Sequence, residues 1–423
     1  MRTVGLIVEY NPLHNGHSYH YQQSMKVSGA EAAVCIMSGH FLQRGEPALA
    51  SKWARAEMAL AMGADLVLEL PAAFAVQPAE WFGYGAVSAL EATGVVDTLC
   101  FGSESGELGW LDQAAGLLAA EPPQLHEELR LGLKAGLPYP AAYSRAVAAL
   151  VPGASPEELA KPNNTLGLHY LIALHRLQSG IRPLTIPRTK AEYRQEEITD
   201  RRIASATALR KLLFEGGDLT AIAPYVPAST LTILQREYAA GRAPLGWERF
   251  ARPLLLKLAT FGPQGLAACH EVTEGLEHRI LRVLSEGLPS APEGMVSSLL
   301  DQLKTKRYTR TKLQRMLLHI LLGHSKAALA PEVLRQGVPY LRVLGFGPKG
   351  QALLKRMKKT AKVPVLTKVP SENAPPLLEL DLRATSAYAL GYDHPSSREM
   401  FRDYYEAPLR CSEDCPAAPG GSA

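Results

Sequence analysis

Cysteine is scarce. The chain has five in 423 residues, Cys35, Cys100, Cys269, Cys411 and Cys415, and only the last two are close together. An odd, scattered set is no disulfide framework, and it points to a reducing, cytoplasmic setting. Two thiolates fall short of the four ligands of a structural zinc site, so no metal site is read from them. Long apolar runs are missing too, none approaching the ~18 residues of a membrane span. The N-terminal MRTVGLIVEYNPLHNGH is broken by Glu9 and Asn11, which suits a first β-strand and not a secretion signal. After that strand there is neither the G-x-G-x-x-G turn of dinucleotide folds nor a Walker loop. No fixed period recurs, and no Ser–His–Asp or Cys–His nucleophile set is evident; Cys35 sits in an apolar run and reads as core. Neither sign of charge is in excess, with 45 Lys plus Arg against 41 Asp plus Glu. That balance suits nucleic-acid binding only if the basic residues cluster.

What is there is a globular composition, 47% hydrophobic and 20% charged, in a chain long enough for two or more domains. TVGLIVEY, EAAVCIMSG, ADLVLELP and DTLCFGS each read as a buried strand, and KWARAEMALAMG and EWFGYGAVSALEATG between them read as helices. The alternation predicts an α/β fold, a Rossmann-like parallel sheet covered on both faces, with ligands beyond the C-terminal strand ends. PLTIPRT reads as a further short strand, followed by a capped helix in DRRIASATALRKLLFEGG. The expected division is a sheet domain over 1–225, a mostly helical C-terminal region over 226–410, and a disordered tail over 411–423.

The sharpest motif follows the first strand: Glu9-Tyr10-Asn11-Pro12-Leu13-His14-Asn15-Gly16-His17. A spacing of three puts His14 and His17 on one face of a first helical turn. The free N–H groups there already favour phosphate, two imidazoles complete a cradle for a triphosphate, and Gly16 lets a nucleotide lie against the backbone. The same residues would also serve as a plain helix cap. A second segment, Ile203-Ala204-Ser205-Ala206-Thr207-Ala208-Leu209-Arg210, resembles the helix start found late in HxGH nucleotidyltransferases. In those proteins Ser and Thr at the helix N-terminus take the β- and γ-phosphates and Arg adds a fixed cationic fork. An ordinary N-cap has no need of the arginine.

Further motifs narrow the resemblance: Ser38-Gly39-His40-Phe41-Leu42-Gln43-Arg44-Gly45-Glu46-Pro47-Ala48, Lys52-Trp53-Ala54-Arg55, Gly63 to Pro71, Phe101-Gly102-Ser103-Glu104, Asn163-Asn164-Thr165-Leu166-Gly167 and Ile186-Pro187-Arg188. With LKTKRYTRTKLQRMLLHILLG, these make the chain similar to the bacterial tRNA(Met) cytidine acetate ligase family over most of its length. The resemblance implies that ATP and acetate give acetyl-adenylate and pyrophosphate. The acetyl group then passes to N4 of the wobble cytidine of elongator tRNA(Met). It implies an ATP site from Ile7, Val8, Glu9, Tyr10, Asn11, Pro12, Leu13, His14, Asn15, Gly16, His17, Ser18, Tyr19 and His20, completed by Gly102, Asn163 and Arg188. Mg²⁺ is expected with ATP, without a named protein ligand. One position departs from the pattern: His40 stands where the family's S-G-N-F has Asn.

His14, His17, Ser205, Thr207 and Arg210 are the candidate catalytic residues, since attack on the α-phosphorus needs positioning and charge stabilisation above all. Lys304, Lys306, Arg307, Arg310, Lys312 and Arg315 form a basic stretch that suits RNA, and Lys355, Arg356, Lys358, Lys359 and Lys362 form a second. Lys52 and Arg55 read equally as a solvated helix face or an RNA or phosphate contact; Asp65 and Glu69 read as strand-end residues near the site, with a structural hydrogen bond near Pro71 an equal reading for Glu69. Two other functions share the phosphate motifs: a small-molecule adenylyltransferase acting on a nucleotide or pantetheine phosphate, and a non-catalytic RNA-binding protein that kept the fold. No obligate protein partner is evident.

Overall fold

Runs of β-branched and Leu residues without polar alternation produce strands buried on both faces, here β1 (Thr3–Val8), β2 (Ala32–Ser38), β3 (Leu66–Leu70), β4 (Thr98–Ser103) and β5 (Arg182–Pro187). The structure is a computed structural model and describes residues 1–187, 204–216, 218–289 and 291–412. Arg188, Ile203 and all but the start of the 411–423 tail lie outside the described residues.

The five strands are parallel in the order β5-β4-β1-β2-β3. The order reverses at β1, with β2 and β3 stepping away on one side and β4 and β5 on the other. Connections leave in opposite directions there, so a crevice opens beyond the C-terminal ends of β1 and β4. The helices that matter below are α1 (Asn15–Ser28), α2 (Lys52–Met62), α3 (Ala79–Thr93), α4 (Pro162–Arg176), α5 (Ala206–Phe214), α6 (Arg310–Leu322), α7 (Pro348–Thr360) and α8 (Leu378–Ala389). The strands divide their side chains by the period of two. Val34, Ile36, Leu66 and Leu68 pack with Phe82 and Leu90 of α3 and Leu171 of α4. Leu6, Cys35, Met37 and Val67 pack with Met58 of α2 and Leu209 of α5 on the other face.

β3 is wholly buried and needs a partner on its outer edge. β6 (Leu341–Phe346) supplies it by antiparallel pairing, and β7 (Val365–Leu366) and β8 (Leu409–Arg410) pair with β6 in turn. The sheet therefore runs across the division at residue 225, with residues 226–410 contributing its far edge as well as helices. Among the described residues, no helix is long and apolar enough to cross a membrane.

Candidate functional site

The crevice holds a pocket that unites the two motifs. Its wall includes Ile7, Val8, Glu9, Tyr10 and Asn11 from the end of β1, His14, Gly16, His17, Tyr19 and His20 from the start of α1, and Gly102 and Asn163 from β4 and α4. Ser205, Thr207 and Arg210 reach it from the start of α5. Pro12, Leu13, Asn15 and Ser18 of the expected ATP segment are not in that wall. Leu13 belongs to the core, and the Asn15 amide donates to Pro224 O at 3.0 Å.

His14 is the N-cap of α1: its Nδ1 accepts from Gly16 N at 3.1 Å, while His17 Nδ1 accepts from His14 N at 3.3 Å. The rings stack with centroids 3.8 Å apart. Cap and cradle are thus not rival readings. With both Nδ1 atoms accepting, each neutral ring carries its proton on Nε2, a donor suited to a phosphate oxygen. Tyr10 turns the chain with φ at 50°, in the left-handed region, and sets its ring edge against His17 with centroids 5.0 Å apart. Ser205 caps α5, its Oγ accepting from Ala208 N at 3.1 Å. Arg210 joins the motifs: it donates to Asn11 O at 3.0 Å and to Glu46 Oε2 at 3.2 Å.

Glu46 belongs to a wall component outside the expected site residues, the loop that supplies Leu42, Gln43, Arg44 and Glu46. Its signal was the polar run Gln43-Arg44-Gly45 amid apolar sequence. The loop is tied to β1 through Glu9, whose Oε1 accepts from Gln43 N at 2.8 Å and from Ser38 Oγ at 3.3 Å. Burial raises the Glu9 carboxyl above its ordinary range. The loop's tip presses on α6: a Cβ on Gly45 would lie 2.3 Å from Arg315 N. The opposite flank is apolar, with Phe82, Phe101, Leu166, Tyr170 and Ile186. These come from four separate elements, α3, β4, α4 and β5; Phe101, Leu166 and Ile186 fall within the motifs quoted above, whereas Phe82 and Tyr170 had no local motif to announce them. Asn163, at the first turn of α4, is held by Glu104, which accepts from its N–H at 3.1 Å and its amide at 2.7 Å.

Several sequence expectations need correction. Lys52 and Arg55 are fully buried, neither solvated nor open to RNA. Lys52 Nζ lies 2.8 Å from both Glu69 and Asp403. Arg55 donates to the carbonyls of Glu9, Ser38, Gly39 and Ala50, and burial pulls its pKa down to about 10. Glu69 is thus a structural ion partner, while Asp65 precedes β3, at the end of the sheet opposite the pocket, and accepts from Ala33 N at 2.8 Å. His40 lies behind the loop and outside the wall, stacked on Tyr388 with centroids 4.3 Å apart; burial, aided by Lys52 and Arg55, holds it neutral.

In the basic stretch, Lys304, Lys306 and Arg307 are exposed, Arg310 pairs with Asp301, and Lys312 donates to Glu271 O at 2.5 Å. Arg315 is buried against Glu271 at 3.0 Å, so it anchors α6 and does not face solvent. The second basic run lies on and just after α7, at the opposite end of the sheet: Arg356 donates to Met1 O, and Lys349 of the same helix to Glu31 O.

Comparison with known proteins gives a consistent result. A family model described as HIGH Nucleotidyl Transferase matches residues 1–403. A tRNA(Met) cytidine acetate ligase from Acetivibrio thermocellus is 39% identical over 415 residues, spanning 96% of this chain and 98% of its own. The Bacillus subtilis ligase of the same name is 39% identical over 421 residues, spanning 98% of each. Among solved structures, apo Thermotoga maritima TmcAL superposes with a TM-score of 0.88 at 33% identity, over 97% of this chain and 100% of that one. The same protein bound with alpha-thio ATP gives 0.86 at 32% identity, with the same coverage.

Proposed function

The chain belongs to the tRNA(Met) cytidine acetate ligase family of HIGH nucleotidyl transferases, and from that membership we propose how its pocket works. It is an ATP-dependent ligase that acetylates cytidine in tRNA(Met). In the first step an acetate oxygen attacks the α-phosphorus of ATP, giving acetyl-adenylate and releasing pyrophosphate. In the second, N4 of the wobble cytidine of elongator tRNA(Met) attacks the acetyl carbonyl; the new C–N bond forms as the C–O bond to AMP breaks.

His14, His17, Ser205, Thr207 and Arg210 bind the β- and γ-phosphates and neutralise the departing pyrophosphate. Ile7 to Asn11, Gly102 and Asn163 hold the nucleoside, with Arg188 joining them. Mg²⁺, when bound with the triphosphate, would supply further neutralisation of the phosphate charge that His14, His17, Ser205, Thr207 and Arg210 face. The acetyl-adenylate is kept from water by the apolar flank of Phe82, Phe101 and Tyr170. Residues 1–225 carry the ATP chemistry. Residues 226–410 carry much of the RNA contact, through Lys304, Lys306, Arg307, Arg310 and Lys312, in a cytoplasmic enzyme.

The observation that carries this reading is the loop of Leu42 to Glu46. One side forms the wall beside Arg210, and its tip rests on the helix that begins in the basic stretch. A tRNA on that stretch would bring a splayed base to the pocket rim. The test is transfer of labelled acetate to elongator tRNA(Met) with ATP and Mg²⁺, beside a His17→Ala control. Label that disappears without ATP or in the variant supports the reading. Pyrophosphate release with no label in RNA would overturn the acceptor.

A further inference from the structure

Phe401, Tyr404 and Tyr405 are 52%, 55% and 49% exposed. Among the described residues only Tyr19, Tyr139 and Phe214 are other aromatics left so open, so half of the set falls within five consecutive positions. The segment that carries them is firmly seated. Asp403, between them, is 1% exposed and its carboxylate meets Lys52 Nζ at 2.8 Å, Arg342 at 2.9 Å and the Thr385 hydroxyl. Arg402 lies over the Trp53 ring, 4.3 Å from its centroid. The alternation of anchored and outward residues presents the three rings from a fixed base.

The rings also keep cationic company. Arg398 lies over Tyr405 at 5.9 Å, and with Ser397 and Phe401 these two residues wall a shallow concavity. The acidic neighbours Glu399 and Glu406 both turn to Arg402. Arg398 is exposed and has no acidic partner among the described residues. Open aromatic faces beside an uncompensated guanidinium match the two parts of a nucleotide: bases stack on the rings and a phosphate pairs with the cation. The place fits as well. Trp53, which supports Arg402, also takes the edge of His40 at 5.3 Å, and His40 stands at the root of the loop that lines the pocket.

We propose that Phe401, Tyr404 and Tyr405 form a stacking platform for unpaired nucleotides next to the target cytidine, with Arg398 on a phosphate between them. This deepens the reading above and rests on it for the identity of the RNA. The platform holds neighbours of the target base while that base leaves the stack, so it acts on RNA affinity and not on adenylation.

The test measures binding of an anticodon stem-loop of tRNA(Met) to the full chain by fluorescence anisotropy, for wild type and for Phe401→Ala, Tyr404→Ala, Tyr405→Ala and Tyr404→Trp. Each Ala variant that loses a stacked base should weaken binding roughly tenfold, with Tyr404→Trp restoring it. Acetate-dependent ATP–pyrophosphate exchange should stay within about twofold of wild type, since none of these side chains belongs to the pocket wall. Unchanged Kd in all three Ala variants would overturn the platform, and so would a parallel loss of exchange, which means a damaged fold. Weakened self-association in sedimentation with unchanged RNA affinity would also overturn it, by assigning the surface to a second copy of the chain. Because the readout is binding, weaker RNA binding by the variants with no acetyl transfer in wild type would overturn the ligase reading and leave the platform standing.

Discussion

Arg210 and Glu46 meet at 3.2 Å inside the pocket, joining the α5 motif to the loop that faces the basic stretch. The pair is partly exposed, with side chains 17% and 30% open, so a triphosphate can compete for the guanidinium. ATP must share Arg210 with Glu46 or take it away. Glu46→Gln should therefore bind ATP a few-fold more tightly by calorimetry. Arg210→Ala should weaken it by about 1.5–3 kcal/mol, the worth of a hydrogen bond to a charged group. Weaker ATP binding by Glu46→Gln would mean that the carboxylate assists the nucleotide.

Capping and phosphate binding can be separated at His14. Asn is among the best N-cap residues, so His14→Asn should hold the melting temperature near that of wild type. The same change removes the imidazole donor and should lower acetyl transfer by about 10²-fold or more. Full activity in this variant would reduce His14 to a cap.

The strands and the two motifs that meet in the pocket were legible because each is local: an apolar run, or residues three to five apart at a helix start. What was illegible depends on burial between distant segments. Lys52 and Arg55 look like surface cations in KWAR, yet Glu69, Asp403 and the carbonyl of Glu9 meet them inside. No window around residue 52 contains Asp403. Arg315 likewise reads as one more base in a cationic run, and only the fold brings Glu271 against it. β6 went unassigned because LRVLGF, a short run interrupted by Arg342, is ambiguous until β3 is known to have an open edge.

The buried charges beside β3 predict two opposite pH effects. Burial, reinforced by Glu69, pushes Asp381 up to about 7, and its carboxyl accepts from Ala72 N at 2.6 Å. A carboxyl raised on folding favours the native state through its proton. That contribution is complete below about pH 4, near the unfolded value, and is lost as pH rises toward about 7. Burial also pulls Asp403 upward, but Lys52 and Arg342 outweigh it and hold the group below its ordinary range. Its contribution is present above the unfolded value and lost as pH falls through the lower folded one. Urea unfolding of Asp381→Asn should show wild type losing ground to the variant between pH 4 and 7. Asp403→Asn, by contrast, should gain on wild type only at the acidic end. The same trend in both variants would refute this assignment.

The basic stretch offers a prediction in which burial decides between neighbours. Lys304, Lys306 and Arg307 are exposed, and the pairing of Arg307 with Glu274 at the surface is worth little against a phosphate. Each phosphate contact adds about one counterion to those released on binding. Lys304→Ala and Lys306→Ala should therefore each weaken tRNA binding and reduce the slope of log affinity against log salt by about one. Arg315→Ala removes one of two cations on the part-buried Glu271 carboxylate, leaving Lys312 at 3.6 Å. It should cost about 1–3 kcal/mol of folding stability and leave the salt slope of the surviving folded protein unchanged. If Arg315→Ala flattened the slope without lowering stability, that arginine would have to reach the RNA, and α6 would have to turn on binding to let it do so.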